Sequence, residues 1–162
     1  PHVYGDVKVN NANEVLQKWE QIKTKEKDGN ETVLSGVPDT LPSLIKAYRI
    51  QDKAHNVGFD WAERREVWKK VKEEIAELAN EIEKADLSGM EAEFGDLFFA
   101  MVNAARLYGI DPEAALERTN LEFIRRFNFL ENQTLLKGKN LREMTLAEMD
   151  EIWEEAKKIR ER

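Results

Sequence analysis

The sequence predicts an all-α protein, and three observations lead to this fold class. Every segment with a clear hydrophobic period has the helical period of about 3.6 residues. No run of alternating β-branched residues is long enough to indicate a strand. Charged residues make up 35% of the chain and are rich in Glu and Lys, which is typical of long solvent-exposed helices. We therefore interpret each periodic segment as a helix.

The first forty residues predict one short helix followed by a linker. Apolar residues at helical spacing indicate a helix over about 13–25: Val15, Leu16, Trp19 and Ile22. The stretch KDGNETVLSGVPDT then supplies Gly, Pro and polar residues, as linkers do. We expect residues 1–40 to be this helix and linker, and residues 41–162 to be the main domain.

Two helices are predicted at the start of the main domain. The first has Pro42 in its first turn and ends at about Asn56, before Gly58. The second runs over about 63–84, where one apolar stripe leaves a shared polar side. That stripe consists of Trp68, Val71, Ile75, Leu78 and Ile82.

Three more helices are marked by their ends. The ADLSG sequence breaks the chain, and Asp86 or Ser88 caps a helix over about 90–108. The DPE sequence starts the next helix, which runs over about 112–135. The TLAE sequence from Thr145 is a capping box, so it opens a last helix that ends at about residue 158.

The helix over about 90–108 carries the first sign of a functional site. Its residues 94–105 are apolar in almost every direction, so we expect this part to be buried all round. Glu93, Asp96 and Asn103 nevertheless fall on one side of the helix. A buried carboxylate without a partner costs several kcal/mol, and a divalent cation between carboxylates offsets that cost.

The preceding helix can supply more acids to the same place. Glu74 and Glu77 lie one turn apart, and an antiparallel hairpin would bring them to the acids of the next helix. A site of oxygen ligands without His or Cys suits Mg²⁺, or alternatively Mn²⁺, better than zinc or copper. Glu73 is either a ligand of a second metal or a surface acid.

A magnesium site of this kind implies phosphate chemistry, because Mg²⁺ held by carboxylates usually completes its shell with water and substrate phosphates. Basic residues that could neutralise the phosphates are Lys70, Arg49, Lys53, Arg125 and Arg126. Salt bridges within helices are the alternative role, since Glu74 follows Lys70 by four residues. Trp61 and Trp153 either stack on a base or belong to the core.

The composition excludes several classes of protein. The chain has 25 Lys and Arg against 32 Asp and Glu, and the net charge of −7 disfavours proteins that wrap nucleic acid. The lack of Cys excludes disulfides, thiolate zinc sites and Cys nucleophiles. No apolar run approaches the about 20 residues that span a membrane. We expect a cytoplasmic protein that binds neither membranes nor nucleic acids directly.

In these residues the chain resembles the MazG-type all-α nucleoside triphosphate pyrophosphohydrolases. The metal motif of that family, EExxE followed by ExxD, corresponds here to EEIAE from Glu73 and EFGD from Glu93. Other segments match in order: NVGFDW, GDLFFAMVNAARLYGIDPEAAL, TNLEFIRRF and AEMDEIW. The resemblance covers about 41–158 and extends to the second domain of the tandem form. The opening PHVYGDV is similar to the stretch beyond the first repeat, so we expect an upstream domain.

The resemblance implies a fold, an activity and roles for individual residues. The fold is a four-helix-bundle core with flanking N- and C-terminal helices. The activity is hydrolysis of nucleoside triphosphates between the α and β phosphorus atoms to a nucleoside monophosphate and pyrophosphate. The implied Mg²⁺ ligands are Glu74, Glu77, Glu93 and Asp96. The implied nucleotide contacts are Lys70, Asn103, Asn120, Arg126 and Trp153. Trp61, which could stack on a base, is a further candidate contact. The general base is one of Glu73, Glu74 and Glu77.

Two positions depart from the family pattern. The pattern N-x-K-F-x-x-R-F has a lysine where this chain has Glu122. A second basic position, ahead of the ExxD helix, is occupied by Gly89. If Glu122 faces the pocket, it opposes phosphate binding; if it turns to Arg126, it occupies that arginine.

The sequence was also compared with two other functions, a di-iron site and a non-catalytic binding module. A ferritin-like di-iron site needs Glu-x-x-His twice, and neither His follows a Glu at that spacing. A catalytically weak or inactive helical module that binds a metal, a nucleotide or a partner is the alternative to the enzyme. Because the apolar helix needs cover on every side, we expect a homodimer or a higher homo-oligomer.

Overall fold

The computed structural model describes residues 32–159, and within them all regular structure is helical. The helices are α1 (Ser43–Asn56), α2 (Val67–Lys84), α3 (Leu87–Leu107), α4 (Pro112–Leu136) and α5 (Leu146–Lys158). A short 3-10 turn, Leu141–Glu143, lies between α4 and α5. The all-α prediction is confirmed for this part of the chain. The helix predicted over about 13–25 lies outside the described residues, and the boundary predicted near residue 41 stays a prediction.

The helix ends follow local capping chemistry. The Asp86 side chain accepts a hydrogen bond from the Ser88 backbone N, 3.1 Å away, at the start of α3. At the start of α5, the Thr145 and Glu148 side chains bond to each other's backbone N–H groups, which is the predicted capping box. α2 ends at Ala85, whose left-handed φ of 54° is unusual for a residue other than glycine.

The chain divides into two compact units, one up to Pro112 and one from Glu113 onward. In the first unit, α3 packs against both α1 and α2. Its small core is formed by Val67, Val71, Ala100 and Ala104, with Leu97 and Leu107 packed against them. In the second unit, residues of α4, the 3-10 turn and α5 form another core: Leu130, Met144 and Ile152, with Phe129, Leu141 and Met149 beside them.

The prediction that residues 94–105 of α3 are buried all round is wrong for this single chain. Ala100, Val102 and Ala104 are buried, but Phe98 keeps 60% of its surface and Phe94 keeps 44%. α1 and α2 cover two sides of α3, and the side with Phe94, Phe98 and Met101 stays uncovered. The apolar stripe of α2 is likewise only half covered, since Val71 and Leu78 are buried while Trp68, Ile75 and Ile82 are exposed.

None of the helices within residues 32–159 combines the length and the apolar content that crossing a bilayer requires.

Candidate active site

Acidic side chains of α2 and α3 meet where these two helices pack together. Oxygen atoms of Glu73, Glu74 and Glu77 lie within 4.8 Å of one another. Oxygen atoms of Glu74, Glu93 and Asp96 do the same. Glu74 belongs to both groups, so it lies at the centre of the cluster. Glu74 therefore meets the acids of α3, as an antiparallel hairpin predicts, while Glu77 is grouped with Glu73 and Glu74.

Glu74 is the most deeply buried acid of this carboxylate cluster. Only 3% of its surface is exposed. Its Oε1 lies 2.5 Å from the Nζ of Lys70, which is also 2.7 Å from Oε1 of Glu73. Hydrogen bonds to Glu73 and Glu74 raise the pKa of Lys70 above its usual value. The other oxygen of Glu74, Oε2, is buried and has no hydrogen-bond partner in the described structure.

Glu93 of α3 also has a carboxylate oxygen without a hydrogen-bond partner among the described residues. Its Oε2 is also buried without a partner in the described structure. Burial, followed by repulsion from Glu77, Asp96 and Glu74, raises the pKa of Glu93. Each of Glu74 and Glu93 thus has one buried carboxylate oxygen without a hydrogen-bond partner in the described part of the chain.

This donor set fits a hard divalent cation. All the potential ligands are carboxylate oxygens, which Mg²⁺ and Mn²⁺ accept and which zinc and copper sites seldom use alone. A cation would coordinate the unpartnered oxygens and offset the repulsion between the acids. Without a cation or another partner, both the unpaired oxygens and the repulsion would remain. Exposed acids often cluster without a metal, but here the central acid is buried.

A polar network that the sequence did not predict lies at the C-terminal part of α3, in the same unit as the cluster. The Asp60 carboxylate accepts hydrogen bonds from an Nη atom of Arg106 at 2.7 Å and from the Trp61 backbone N at 2.8 Å. His55 Nδ1 lies 2.8 Å from the same carboxylate. Burial opposes ionisation of Asp60, but the hydrogen bonds from Arg106 and Trp61 outweigh it and lower its pKa. Arg106 also donates to Oδ1 of Asn103, from Nε at 3.1 Å and from Nη2 at 2.8 Å.

Another residue missed from the sequence is Gln51 of α1. It is 6% exposed, and its Nε2 donates to the Phe99 carbonyl oxygen at 2.8 Å. A Gln inside an amphipathic helix gives no sequence signal for such a contact. The signal for Asp60 and Arg106 is equally weak, because the two residues are far apart in sequence and each has ordinary neighbours.

The second unit holds the remaining predicted nucleotide contacts. The guanidinium carbon of Arg126 on α4 lies 5.8 Å from the ring centroid of Trp153 on α5, within the range of a cation–π contact. The Phe123 ring packs against Trp153 with a centroid distance of 5.1 Å. Trp153 is thus half-buried in an aromatic cluster beside a basic group. Asn120 is exposed, and its Nδ2 lies 3.3 Å from a carboxylate oxygen of Glu117.

Glu122 turns to its own helix, the second of the two geometries considered for it. Its Oε1 accepts hydrogen bonds from Nε of Arg126 at 2.7 Å and from Nη2 of Arg125 at 2.8 Å. The hydrogen bond from Arg125 is the main cause that lowers the pKa of Glu122 to about 2. Arg125 in turn donates to the Ala156 carbonyl oxygen on α5 at 3.2 Å. The predicted salt bridge between Glu122 and Arg126 is therefore present, and Glu122 also pairs with Arg125, which was not predicted.

Gly89, the other departure from the family pattern, lies against Glu81 of α2. A Cβ built on Gly89 would come within 2.5 Å of Oε2 of Glu81. Glu81 is paired with Lys84, whose Nζ lies 2.6 Å from the Oε1 of Glu81. A longer side chain at position 89 would need Glu81 to move.

The structure therefore gathers the predicted site residues in two places. The carboxylate cluster and Lys70 lie together in the first unit, and Asn103 and Trp61 share the polar network there. Arg126 and Trp153 lie together in the second unit, with Asn120 earlier on α4.

Comparison with known proteins finds a family whose domain matches the part of the chain that contains this cluster. Residues 63–128 match the MazG nucleotide pyrophosphohydrolase domain. That range contains the whole carboxylate cluster and Arg126, and it leaves Trp61 and Trp153 outside.

Curated relatives extend the similarity over almost the whole chain. A protein of Escherichia coli strain K12 named nucleoside triphosphate pyrophosphohydrolase is 41% identical over 98% of this chain and 62% of its own length. One of Thermotoga maritima, named nucleoside triphosphate pyrophosphohydrolase/pyrophosphatase MazG, is 38% identical over 97% of this chain and 59% of its own length. The uncharacterized protein YabN of Bacillus subtilis is 47% identical over all of this chain and 34% of its own length. The chain thus spans about three fifths of the first two relatives.

Proposed function

Because the chain contains a MazG nucleotide pyrophosphohydrolase domain, we propose that it hydrolyses nucleoside triphosphates between the α and β phosphorus atoms. The products are a nucleoside monophosphate and pyrophosphate. The names of the relatives from Escherichia coli and Thermotoga maritima support the substrate class. The proposal includes a cytoplasmic location, where nucleoside triphosphates are consumed.

The observation that carries the proposal is the buried, unpartnered oxygen of Glu74 at the centre of the carboxylate cluster. The proposed Mg²⁺ ligands are Glu74, Glu77, Glu93 and Asp96, and Mn²⁺ is the alternative ion. When bound, the cation would polarise a phosphoryl oxygen and lower the pKa of a coordinated water. Without a cation, the same acids would repel a triphosphate.

The side chains around the carboxylate cluster have separate tasks in this proposal. Glu73 and Glu77 are exposed, while Glu74 is buried and paired with Lys70. Each of the three is a potential general base for the attacking water, and Glu73 and Glu77 have the better access to solvent. In the first unit, Lys70 would neutralise charge on the triphosphate and on the departing pyrophosphate, and Trp61 and Asn103 would bind the nucleoside. In the second unit, Arg126, Trp153 and Asn120 keep the nucleotide contacts that the sequence resemblance implies.

A weak enzyme or a binding module is the second candidate function, and one observation favours it. Glu122 places a carboxylate on the same two arginines that would otherwise be available to phosphates. Substrate would have to compete with that carboxylate for Arg126. This alternative predicts metal or nucleotide binding with little or no turnover.

Product identification separates these functions. The protein is incubated with Mg²⁺ and a mixture of nucleoside triphosphates, and the products are separated by chromatography. Pyrophosphate together with monophosphates supports the proposal. Orthophosphate with diphosphates would assign a different hydrolase activity, and an absence of products would favour the binding module. Glu74→Gln should abolish product formation, whereas Glu83→Gln, the same change at an exposed position of α2, should not.

We also propose that the chain forms a homodimer or a higher homo-oligomer. The uncovered side of α3 carries Phe94 and Phe98 with ring centroids 6.1 Å apart and Met101 with 44% of its surface exposed. Burying such a side against a second copy is favourable by about 25 cal/mol for each Å² of apolar surface removed from water. A second copy would supply the cover that the sequence pattern of α3 predicts.

A further inference from the structure

The polar network of Asp60, Arg106 and Asn103 joins two parts of the chain that the proposed function uses. Asp60 precedes Trp61, and Arg106 and Asn103 are neighbours on one side of α3. The Arg106 side chain is only 7% exposed and that of Asp60 11%, so this ion pair is buried, unlike most salt bridges on the described helices. A buried pair with short hydrogen bonds fixes geometry more firmly than an exposed one.

Arg106 determines which atom of the Asn103 side-chain amide is left available to bind another molecule. A guanidinium has donors only, so the Asn103 atom that receives both hydrogen bonds from Arg106 must be the carbonyl oxygen Oδ1. The Nδ2 group of Asn103 makes no hydrogen bond among the described residues. Asn103 is therefore held with its amide donor available.

Asp60 fixes the position of Trp61 at the other end of the network. Its Oδ1 accepts from the Trp61 backbone N, while its Oδ2 is held by Arg106 and His55. The Trp61 side chain itself is 41% exposed. The backbone N of Trp61 is thus held in place while its ring remains partly exposed.

We propose that Asp60 and Arg106 are positioning residues for nucleoside binding, which rests on the proposed function. They hold the Trp61 segment against α3 and keep Nδ2 of Asn103 available as a donor. Neither residue is required to touch the substrate. A disturbed network should therefore weaken substrate binding more than the chemical step.

The test is a set of conservative variants that preserve size or charge. Arg106→Lys keeps the positive charge but lacks the planar fork that reaches Asp60 and Asn103 together. Asp60→Asn keeps an acceptor for the Trp61 backbone N but removes the charge. For each variant, KM and kcat are measured with a nucleoside triphosphate, and thermal unfolding shows whether it is folded. KM should rise about threefold to tenfold, as for the loss of one hydrogen bond, with kcat nearly unchanged.

A double-mutant cycle distinguishes positioning from a general loss of structure. If Arg106 acts in part through Asn103, then Arg106→Lys should raise KM by a smaller factor in an Asn103→Ala background than in the wild type, and the remaining rise should come through Asp60 and Trp61. Likewise, Asp60→Asn should add little to Trp61→Ala. Effects that multiply in both cycles, or a KM unchanged in both single variants, would overturn the inference. If Arg106→Lys does not fold, the Asp60 cycle decides the question.

Two controls complete the design. Lys139→Gln breaks an exposed ion pair with Glu148 in the second unit and should leave KM unchanged. Binding of a non-hydrolysable triphosphate with Mg²⁺ is measured for the wild type as well. A wild type that neither hydrolyses nor binds nucleotides refutes the proposed function and this inference together. A wild type that binds them, with variants that bind equally well, refutes only the positioning roles.

Discussion

At the scale of single residues, Glu122 is the position where this chain departs most clearly from the MazG-type pattern that it resembles. Its carboxylate pairs with Arg125 and Arg126 on the same helix. The sequence allowed this pair, because Glu122 and Arg126 are four residues apart, but it equally allowed Glu122 to face a pocket. Only the side-chain geometry distinguishes the two cases.

Under the proposed function, replacing Glu122 by the lysine of the MazG-type pattern should raise turnover or lower KM. Glu122→Lys removes the carboxylate from Arg126 and adds a positive charge, so turnover should rise or KM should fall, by about tenfold for a gain of one charged hydrogen bond. Steady-state kinetics of pyrophosphate release provide the measurement. Glu155→Lys, the same charge change at an exposed position of α5, is the matched control. If Glu122→Lys and Glu155→Lys behave alike, the site is indifferent to Glu122.

The Glu122 ion pairs also make a prediction about pH. The pKa of Glu122 falls from its usual 4.5 to about 2 in the folded protein. A group with a lowered folded pKa contributes stability that is fully present above the unfolded pKa and is lost as pH falls through the folded value. The difference in unfolding temperature between the wild type and Glu122→Gln should therefore be constant above about pH 5 and shrink between about pH 4.5 and 2. A difference that does not change across this range would contradict the assignment.

At the scale of helices, local signals predicted the ends that are fixed by local contacts. Asp86 and Thr145 were recognised as caps because a capping side chain and its backbone partner lie within three residues. The start of α2 was predicted near residue 63, but the helix begins at Val67. The residues before it are held by contacts such as Asp60 to Arg106, which are distant in sequence and give no periodic signal.

The end of α2 offers a test of backbone strain. Ala85 has a φ of 54°, where a side chain costs roughly 1–2 kcal/mol and glycine does not. Ala85→Gly should therefore raise the free energy of unfolding by about 1 kcal/mol, as measured by chemical denaturation. The control is Ala79→Gly within the same helix, which should lower it by about 1 kcal/mol. Two changes of the same sign would show that the conformation of Ala85 is not strained.

The carboxylate cluster was predictable at this scale because helix spacing fixes which side chains share a side. Glu74 and Glu77, and likewise Glu93 and Asp96, lie one turn apart, and the short break between their helices forces a hairpin. The depth of Glu74 was not predictable, since EExxE patterns occur on many exposed helices. That depth depends on α1 and α2 both packing on α3.

At the scale of the whole molecule, the main feature is the side of α3 that the single chain leaves uncovered. The apolar residues around the helix indicated that the side chains of residues 94–105 should be shielded from water. The pattern could not indicate which partner shields them. In the single chain Phe98 keeps 60% of its surface. The sequence pattern agrees with the proposed homo-oligomer, in which a second copy would cover this side of α3.

A charge on this side of α3 should change the oligomeric state. Phe98→Asp places a carboxylate where a second copy would bury the ring, so sedimentation velocity should show a monomer in place of a dimer or higher species. Phe59→Asp is the control, because Phe59 is 81% exposed and lies outside α3. A wild type that sediments as a stable, active monomer would refute the homo-oligomer.

The central claim is that a divalent cation satisfies the acids between α2 and α3, and a titration calorimetry experiment with Mn²⁺ and Mg²⁺ tests it most directly. Wild type and Glu83→Gln should bind the cation alike, while Glu74→Gln should lose at least about tenfold in affinity, because the central ligand of the carboxylate cluster is gone. A Glu74→Gln protein that binds both cations as tightly as the wild type would contradict the account.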